Sequence, residues 1–294
     1  MSVNNAPVVV GADGSESSLA AVEWAAGYAR ARRVDLRIVH AFIWPQLAVP
    51  LGPADHGDSG GGLRNDARRV LAEAVHRAVD AVRGVQVSGA MPETAPVPAL
   101  LRECGNASLV VVGSRGLGGF SGLLLGSTAV QLAAHAPVPV VIVREGEPGV
   151  RAAARGDVVV GVDGSARSIE AVAFAFAEAQ RLGTGLLAVS VSPPGMVDTV
   201  PVGVLLADDD DPEPARALSE TMAGWAEKYP EVPVRRAVAR GNPARTLTDL
   251  AADAPMLVVG SRGAGGFRGL LLGSVSQGVL HHARCPVAIV RPRG

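Results

Sequence analysis

The sequence predicts an α/β fold of two tandem domains, each a doubly wound five-stranded parallel sheet, and three observations carry that reading. A fifteen-residue glycine-rich block, Gly113–Ser127, returns as Gly260–Ser274 and differs only at Leu117/Ala264 and Ser121/Arg268. The run Val8-Val-Val-Gly-Ala-Asp-Gly-Ser15 returns as Val158-Val-Val-Gly-Val-Asp-Gly-Ser165. Between these landmarks, continuous apolar runs alternate with stretches of helical spacing, as βα units do when both faces of a parallel sheet are covered.

Each half opens on a buried strand that ends in the Gly/Asp turn. Alanine-rich helices follow over Ser17–Arg32 and Ser168–Leu182, then apolar second strands over Leu36–Phe42 and Leu186–Val191. Pro/Gly-rich loops occupy Trp44–Leu63 and Ser192–Pro214. Second helices are expected over Asn65–Val82 and Ala215–Tyr229, and third strands over Val85–Ala90 and Val232–Ala239. Asn242-Pro243 combines a capping side chain with a proline suited to the first helical position, whereas Ala95-Pro96 lacks the cap. The apolar runs Leu109–Val112 and Leu257–Val259 lead into the glycine blocks, each followed by a further helix. Val138–Val143 and Val287–Val290 close the halves as fifth strands. The domains are expected at residues 1–147 and 157–294. Residues 148–156 link them, within the Gly-, Pro- and Arg-rich stretch Glu145–Asp157.

Composition narrows the chemistry. The formal net charge is −1 and only 3% of residues are aromatic, so there is neither a basic field nor base-stacking material for nucleic acid, and no attraction to an anionic membrane. Lys228 is the only lysine, so phosphate contacts from basic side chains fall to arginine. Cys104 and Cys285 stand at non-equivalent places in the repeats and read as small buried hydrophobes of a reducing compartment. No signal peptide is expected over Met1–Pro7, and no uninterrupted apolar run reaches spanning length, so a cytoplasmic location is expected.

A glycine-dense turn between a strand and a helix N-terminus is suited to phosphate, because backbone N–H groups converge and the helix dipole favours an anion. In a 3-2-1-4-5 strand order the first and fourth strands are neighbours, and ligands sit beyond their carboxyl ends. Asp13 would then face Gly113–Ser127, and Asp163 would face Gly260–Ser274. The blocks contain no lysine, which excludes a P-loop, and the glycines follow the fourth strand instead of the first, which excludes the dinucleotide fingerprint.

Both halves match Gly-x2-Gly-x9-Gly-Ser, as Gly113/Gly116/Gly126-Ser127 and Gly260/Gly263/Gly273-Ser274, each joined by an apolar-Asp-Gly-Ser turn. With these motifs the chain closely resembles, over almost its whole length, the tandem-domain ATP-binding universal stress proteins of actinobacterial type, whose domains are Rossmann-like. The resemblance implies adenine against the ends of the first two strands, triphosphate along the glycine loop, and Mg²⁺ held mainly by phosphate oxygens. By position it implicates Gly11, Ala12, Asp13, Ala41, Val112, Gly113, Gly116, Gly126, Ser127 and Thr128. The second half supplies Gly161, Val162, Asp163, Val191, Val259, Gly260, Gly263, Gly273, Ser274 and Val275. It further implies a regulatory role in stress or growth arrest. Ser127 and Ser274 could cap a helix or bond a phosphate oxygen, and Asp13 and Asp163 suit ribose or adenine better than an anion.

Plainer readings stand beside these. The glycine blocks could be ordinary βα loops. Asp13 could be a helix N-cap with Glu16 three residues on, although the second copy has Ala166 at that place. Arg115 and Arg262 either reach phosphate or are solvated. His135, His281 and His282 fall late in helices, where the dipole favours a cation; His40 reads as packing, and Asp208–Asp211 as a solvated loop. A slow ATPase or other nucleotide-dependent enzyme is one alternative, although no base poised to activate water is evident. A nucleotide-independent scaffold is another. The apolar fifth strands could pair between chains, as a homodimer, or internally, as a pseudo-dimer. The sequence names no downstream protein partner.

Overall fold

The computed structural model describes residues 6–43, 59–117, 125–146, 156–165, 168–192, 203–206, 213–263 and 271–292. The first half runs Val8–Gly11 (β1), Glu16–Arg32 (α1), Leu36–Val39 (β2), Ser59–Ala81 (α2), Val87–Ala90 (β3), Pro96–Glu103 (α3), Leu109–Gly113 (β4), Ser127–His135 (α4) and Val140–Val143 (β5). The second runs Val158–Gly161 (β6), Ser168–Leu182 (α5), Leu186–Ser192 (β7), Gly203–Leu206 (β8), Glu213–Lys228 (α6), Val234–Arg240 (β9), Pro243–Leu250 (α7), Leu257–Gly260 (β10), Ser274–His282 (α8) and Val287–Val290 (β11).

All these strands join one sheet in the order β3-β2-β1-β4-β5-β11-β10-β6-β7-β9-β8. The first half therefore has the expected parallel 3-2-1-4-5 arrangement. The second half repeats it as β9-β7-β6-β10-β11 and adds β8, which pairs antiparallel with β9. That strand corrects the reading of Ser192–Pro214 as loop throughout. Its register partners Leu205 with Val238 and Val204 with Ala239, contacts distant in sequence that a four-residue run beside Pro201 and Asp208 does not announce. Helix α2 also begins earlier than expected, at Ser59. The acids Asp208–Asp211 lie outside the described residues.

Strand alternation divides the core into two layers. Val8 and Val10 pack with Ala21, Ala25 and Tyr28 of α1 and with Ala74 and Ala78 of α2. Val9 points the other way, towards Leu100 of α3 and Leu132 of α4. Each layer continues through the second half, with Phe176 and Met222 on one face and Leu247 and Leu280 on the other. Burial of each such large side chain contributes about 1.5–3 kcal/mol.

The helix ends follow local chemistry. Ser15 caps α1 through its hydroxyl, which accepts the N–H of Ser18 at 3.2 Å. Helix α1 closes on Arg33 in the left-handed region at φ 56°, a place held in the second half by Gly183 at φ 67°. Asn242 caps α7 by accepting the N–H of Arg245 at 3.1 Å, and Ala95 gives α3 no side-chain cap.

Candidate functional site

The site of the first half forms where β1 and β4, adjacent and parallel, end beside each other. Connections leave this point towards opposite faces of the sheet, with α1 and α2 on one side and α3 and α4 on the other, so a crevice opens between them. Gly11, Ala12, Asp13, Ala41, Val112, Gly113, Arg115, Gly116, Gly126, Ser127 and Thr128 all line one cavity of about 480 Å³. Ser18, Val39, His40, Pro96, Leu100, Leu125 and Ala129 complete its wall.

Asp13 joins the two loops that make this cavity. Its Oδ1 accepts the Ser15 N–H at 3.0 Å and the Ser15 hydroxyl at 2.6 Å, and its Oδ2 accepts the Leu117 N–H at 2.9 Å. Burial alone would raise its pKa, but these donors outweigh burial and hold the carboxyl below its ordinary value of 3.8. The helix cap is Ser15, which removes the alternative that Asp13 caps α1. Its carboxylate instead takes an amide of the glycine loop.

The glycines are required by close approach. A Cβ at Gly113 would lie 2.7 Å from the backbone of Ser17, and one at Gly116 would run into Asp13 Oδ2. The Gly126 N–H donates to Ser114 O at 2.7 Å, closing the base of the loop. The serine hydroxyls do not cap the helices that follow: Gly126 and Gly273 are the N-cap residues, and neither helix has a side-chain cap bond. Capping therefore does not account for Ser127, which faces the cavity.

In the second half several of these contacts recur, while Ala264, the counterpart of Leu117, lies outside the described residues. Asp163 Oδ1 accepts from Ser165 N–H at 3.0 Å and Ser165 hydroxyl at 2.7 Å. A Cβ at Gly263 would meet Asp163 Oδ2 at 2.8 Å, and the Gly273 N–H donates to Ser261 O at 2.9 Å. Val162 donates its N–H to Val189 O, as Ala12 does to Val39 O, so the two turns leave the sheet alike. Gly161 approaches Leu247 and Val259, and Gly260 is tied through its carbonyl to the Ser276 hydroxyl at 2.8 Å. Val191 sits in β7 opposite Ala239. Ser274 and Val275 line a different cavity, of about 780 Å³, between α7 and α8 with Asn242, Arg245, Asp249 and His282. Arg262 lies close enough to Arg291 that burial, and then the neighbouring guanidinium, push Arg291 below the ordinary arginine value.

Several of these residues escaped the sequence reading. His40 is more than packing: it follows β2, its ring Nδ1 lies 2.8 Å from Ala12 O, and it faces the cavity. Ser18 accepts the Asp13 N–H at 3.2 Å and donates to Ser15 O at 2.9 Å. Ser168 holds its place in the second half and makes the same bond to Ser165 O, at 2.8 Å, so aligning the halves would have found it. Ser17, which the N–H of Arg115 reaches at 3.3 Å, has no such repeat, because Arg167 stands there. The late histidines do occupy helix ends, with His135 Nδ1 at 2.9 Å from Gln131 O. Cys104 and Cys285 are buried and form no disulfide, and no described helix is long and apolar enough to cross a membrane.

Comparison with known proteins agrees with this architecture. The sequence model of the universal stress protein family matches residues 4–144 and again 155–291. A universal stress protein of Mycobacterium tuberculosis strain H37Rv is 38% identical, the alignment covering 97% of this chain and 96% of the relative. Another from Mycolicibacterium smegmatis is 36% identical, covering 97% of each. The crystal structure of a universal stress protein from Archaeoglobus fulgidus shares the fold over the whole of both chains, with a TM-score of 0.72 at 22% identity. Two family matches, one to each repeat of the turn and the glycine loop, leave one assignment: the chain belongs to the universal stress protein family, as a tandem of two of its domains.

Proposed function

We propose that the chain is an ATP-binding regulator, with one nucleotide held in each of the domains 1–147 and 157–294 and residues 148–156 linking them. The observation that carries this reading is the first-half cavity, of about 480 Å³, whose wall unites the Asp13 turn with the glycine loop. Its volume lies in the range of small-ligand sites. The apolar side chains Val39, Pro96, Leu100 and Leu125 suit a base, and Gly113, Gly116, Gly126, Ser127 and Arg115 of the same lining suit phosphates. Gly113 and Gly116 let the loop close against Ser17 and Asp13, which gives the cavity its shape. Bound Mg²⁺ would supply charge neutralisation through phosphate oxygens, beside the loop amides and Arg115.

In the second half Arg262 of the glycine loop, with Arg291 as a neighbouring guanidinium, would be the cation offered to phosphates. The role of the bound nucleotide is regulatory in this reading, in a stress or growth-arrest response. A reducing, cytoplasmic setting suits two buried cysteines that form no disulfide. The test is to denature purified protein in acid and identify the released nucleotide by chromatography, with calorimetric titration of stripped protein by ATP and Mg²⁺. Two ATP per chain is the expected result. Neither retained nucleotide nor measurable binding would overturn it.

A further inference from the structure

The two halves meet at β5 and β11, which pair antiparallel with Val141 opposite Ala288, flanked by Val140 opposite Ile289 and Ile142 opposite Val287. Val141 and Ala288 hold the same place in the two repeats, so a pseudo-twofold axis passes through this pair. The helices over the junction obey the same axis. Counted from Val8 and Val158, the first residues of β1 and β6, Tyr28 of α1 and Glu178 of α5 are also equivalent positions, and they touch each other.

Their contact is buried and polar. The Tyr28 hydroxyl donates to Glu178 Oε1 at 2.5 Å, and the Glu178 side chain is 0% exposed. Arg32 Nη1 donates to the Tyr28 oxygen at 3.0 Å and stands 3.6 Å from Glu178, while Arg181 Nε donates to Glu178 Oε2 at 2.7 Å. The Arg181 guanidinium also lies over the Tyr28 ring at 4.5 Å, and Trp24 stacks on that ring at 5.0 Å between centroids. Burial, and then the adjacent carboxylate, push the Tyr28 phenol far above its ordinary value, so it stays a donor. One carboxylate thus serves one phenol and two guanidiniums drawn from both halves.

This set cannot be made symmetric. Two first halves joined across the same axis would bring together two Tyr28 hydroxyls and two Arg32 guanidiniums, with no anion from either Glu178. Two second halves would set two buried Glu178 carboxylates face to face, each with only its own Arg181 and with neither the Tyr28 hydroxyl nor the Arg32 guanidinium to complete its partners. We propose that Tyr28 and Glu178 form a partner-selecting lock on the pseudo-twofold axis, which makes the junction surface of each half fit the other half and reject a second copy of itself. The apolar strands β5 and β11 carry no such discrimination, because Val, Ile and Ala pack equally well against their own kind. The lock goes beyond nucleotide binding and does not depend on it.

The covalent link alone favours pairing within a chain by raising effective concentration, so the test removes it after folding. The full chain, with a protease sequence inserted between Gly146 and Gly156, is folded, cleaved and examined by native mass spectrometry, where the possible pairings differ in mass. Wild type is expected to remain a complex of unlike halves at micromolar concentration and to form no like pairs when mixed with isotopically labelled cleaved protein. Glu178→Gln should weaken the complex by roughly tenfold or more, and Tyr28→Phe by several-fold while keeping the ring stack. Like pairs from wild type, separation of wild-type halves at that concentration, or Glu178→Gln retained as tightly as wild type would overturn the proposal. Should the cleaved halves precipitate, urea unfolding of the intact chain decides the matter. Tyr28→Phe and Glu178→Gln must then be strongly non-additive, and simple additivity would count against the lock.

Discussion

The N–H of Leu117 donates to Oδ2 of Asp13 at 2.9 Å, so the turn after β1 holds the glycine loop after β4 across a separation of 104 residues. The same carboxylate holds its own turn through Ser15. Replacing Asp13 by Ala therefore removes the acceptor for three donors at once. The expected cost is about 1–3 kcal/mol in urea unfolding, with loss of first-half nucleotide binding in calorimetry. A variant as stable as wild type would show that the clasp contributes nothing.

That clasp should also respond to acid. The folded Asp13 carboxyl titrates below its ordinary 3.8, so the stabilisation is complete above that value and is lost as pH falls through the lower folded value. Unfolding midpoints of wild type and Asp13→Asn, measured from about pH 7 downward, should differ near neutrality and converge in acid. Curves that run parallel throughout would assign the difference to something other than this proton.

Gly116→Ala and Gly263→Ala test the paired loops separately. The first sets a methyl against Asp13 Oδ2 and the second sets one 2.8 Å from Asp163 Oδ2, so each loop must move away from its carboxylate. Each single variant should lose one of two ATP equivalents, and the double variant both, with far-ultraviolet circular dichroism unchanged. Full stoichiometry in the double variant would place the nucleotide elsewhere.

Glycines at the same loop and away from it should behave differently for steric reasons. At Gly113 an added Cβ lies 2.7 Å from the Ser17 backbone carbonyl, which cannot step aside as a side chain would, whereas at Gly105 it meets nothing within 4 Å. Gly113→Ala should destabilise by about 1–3 kcal/mol and Gly105→Ala by little or nothing, as read by thermal unfolding.

Helix ends give a second comparison between repeats. Asn242→Ala should cost about 1 kcal/mol by removing the cap on α7, while Ala95→Asn, at an exposed position of extended backbone, should add about as much to α3. Arg33→Gly should stabilise α1 by up to about 1 kcal/mol, because Arg33 holds a left-handed conformation that Gly183 adopts freely in the second half. Denaturant midpoints of the three variants check the signs.

Much of this protein was determined by local sequence. The Val8 and Val158 runs, three successive valines before a Gly/Asp turn, suit strands covered on both faces, and the repeated glycine block fixes where the backbone must approach something closely. Asn242-Pro243 set a helix start without help from the rest of the chain. The tertiary structure decided what depended on partners distant in sequence. Val204 and Leu205 became a strand because β9 offered an open edge, and His40 reached the cavity because β1 ends beside it. Ser15 displaced Asp13 as the cap because the Asp13 carboxylate found the Leu117 amide in the glycine loop after β4. Tyr28 and Glu178, unremarkable on their own helices, acquired meaning only when the pairing of β5 with β11 brought equivalent positions of the two repeats together. Local propensity and spacing are written residue by residue; the meeting of side chains across a pseudo-symmetry axis is set by the packing of the whole sheet.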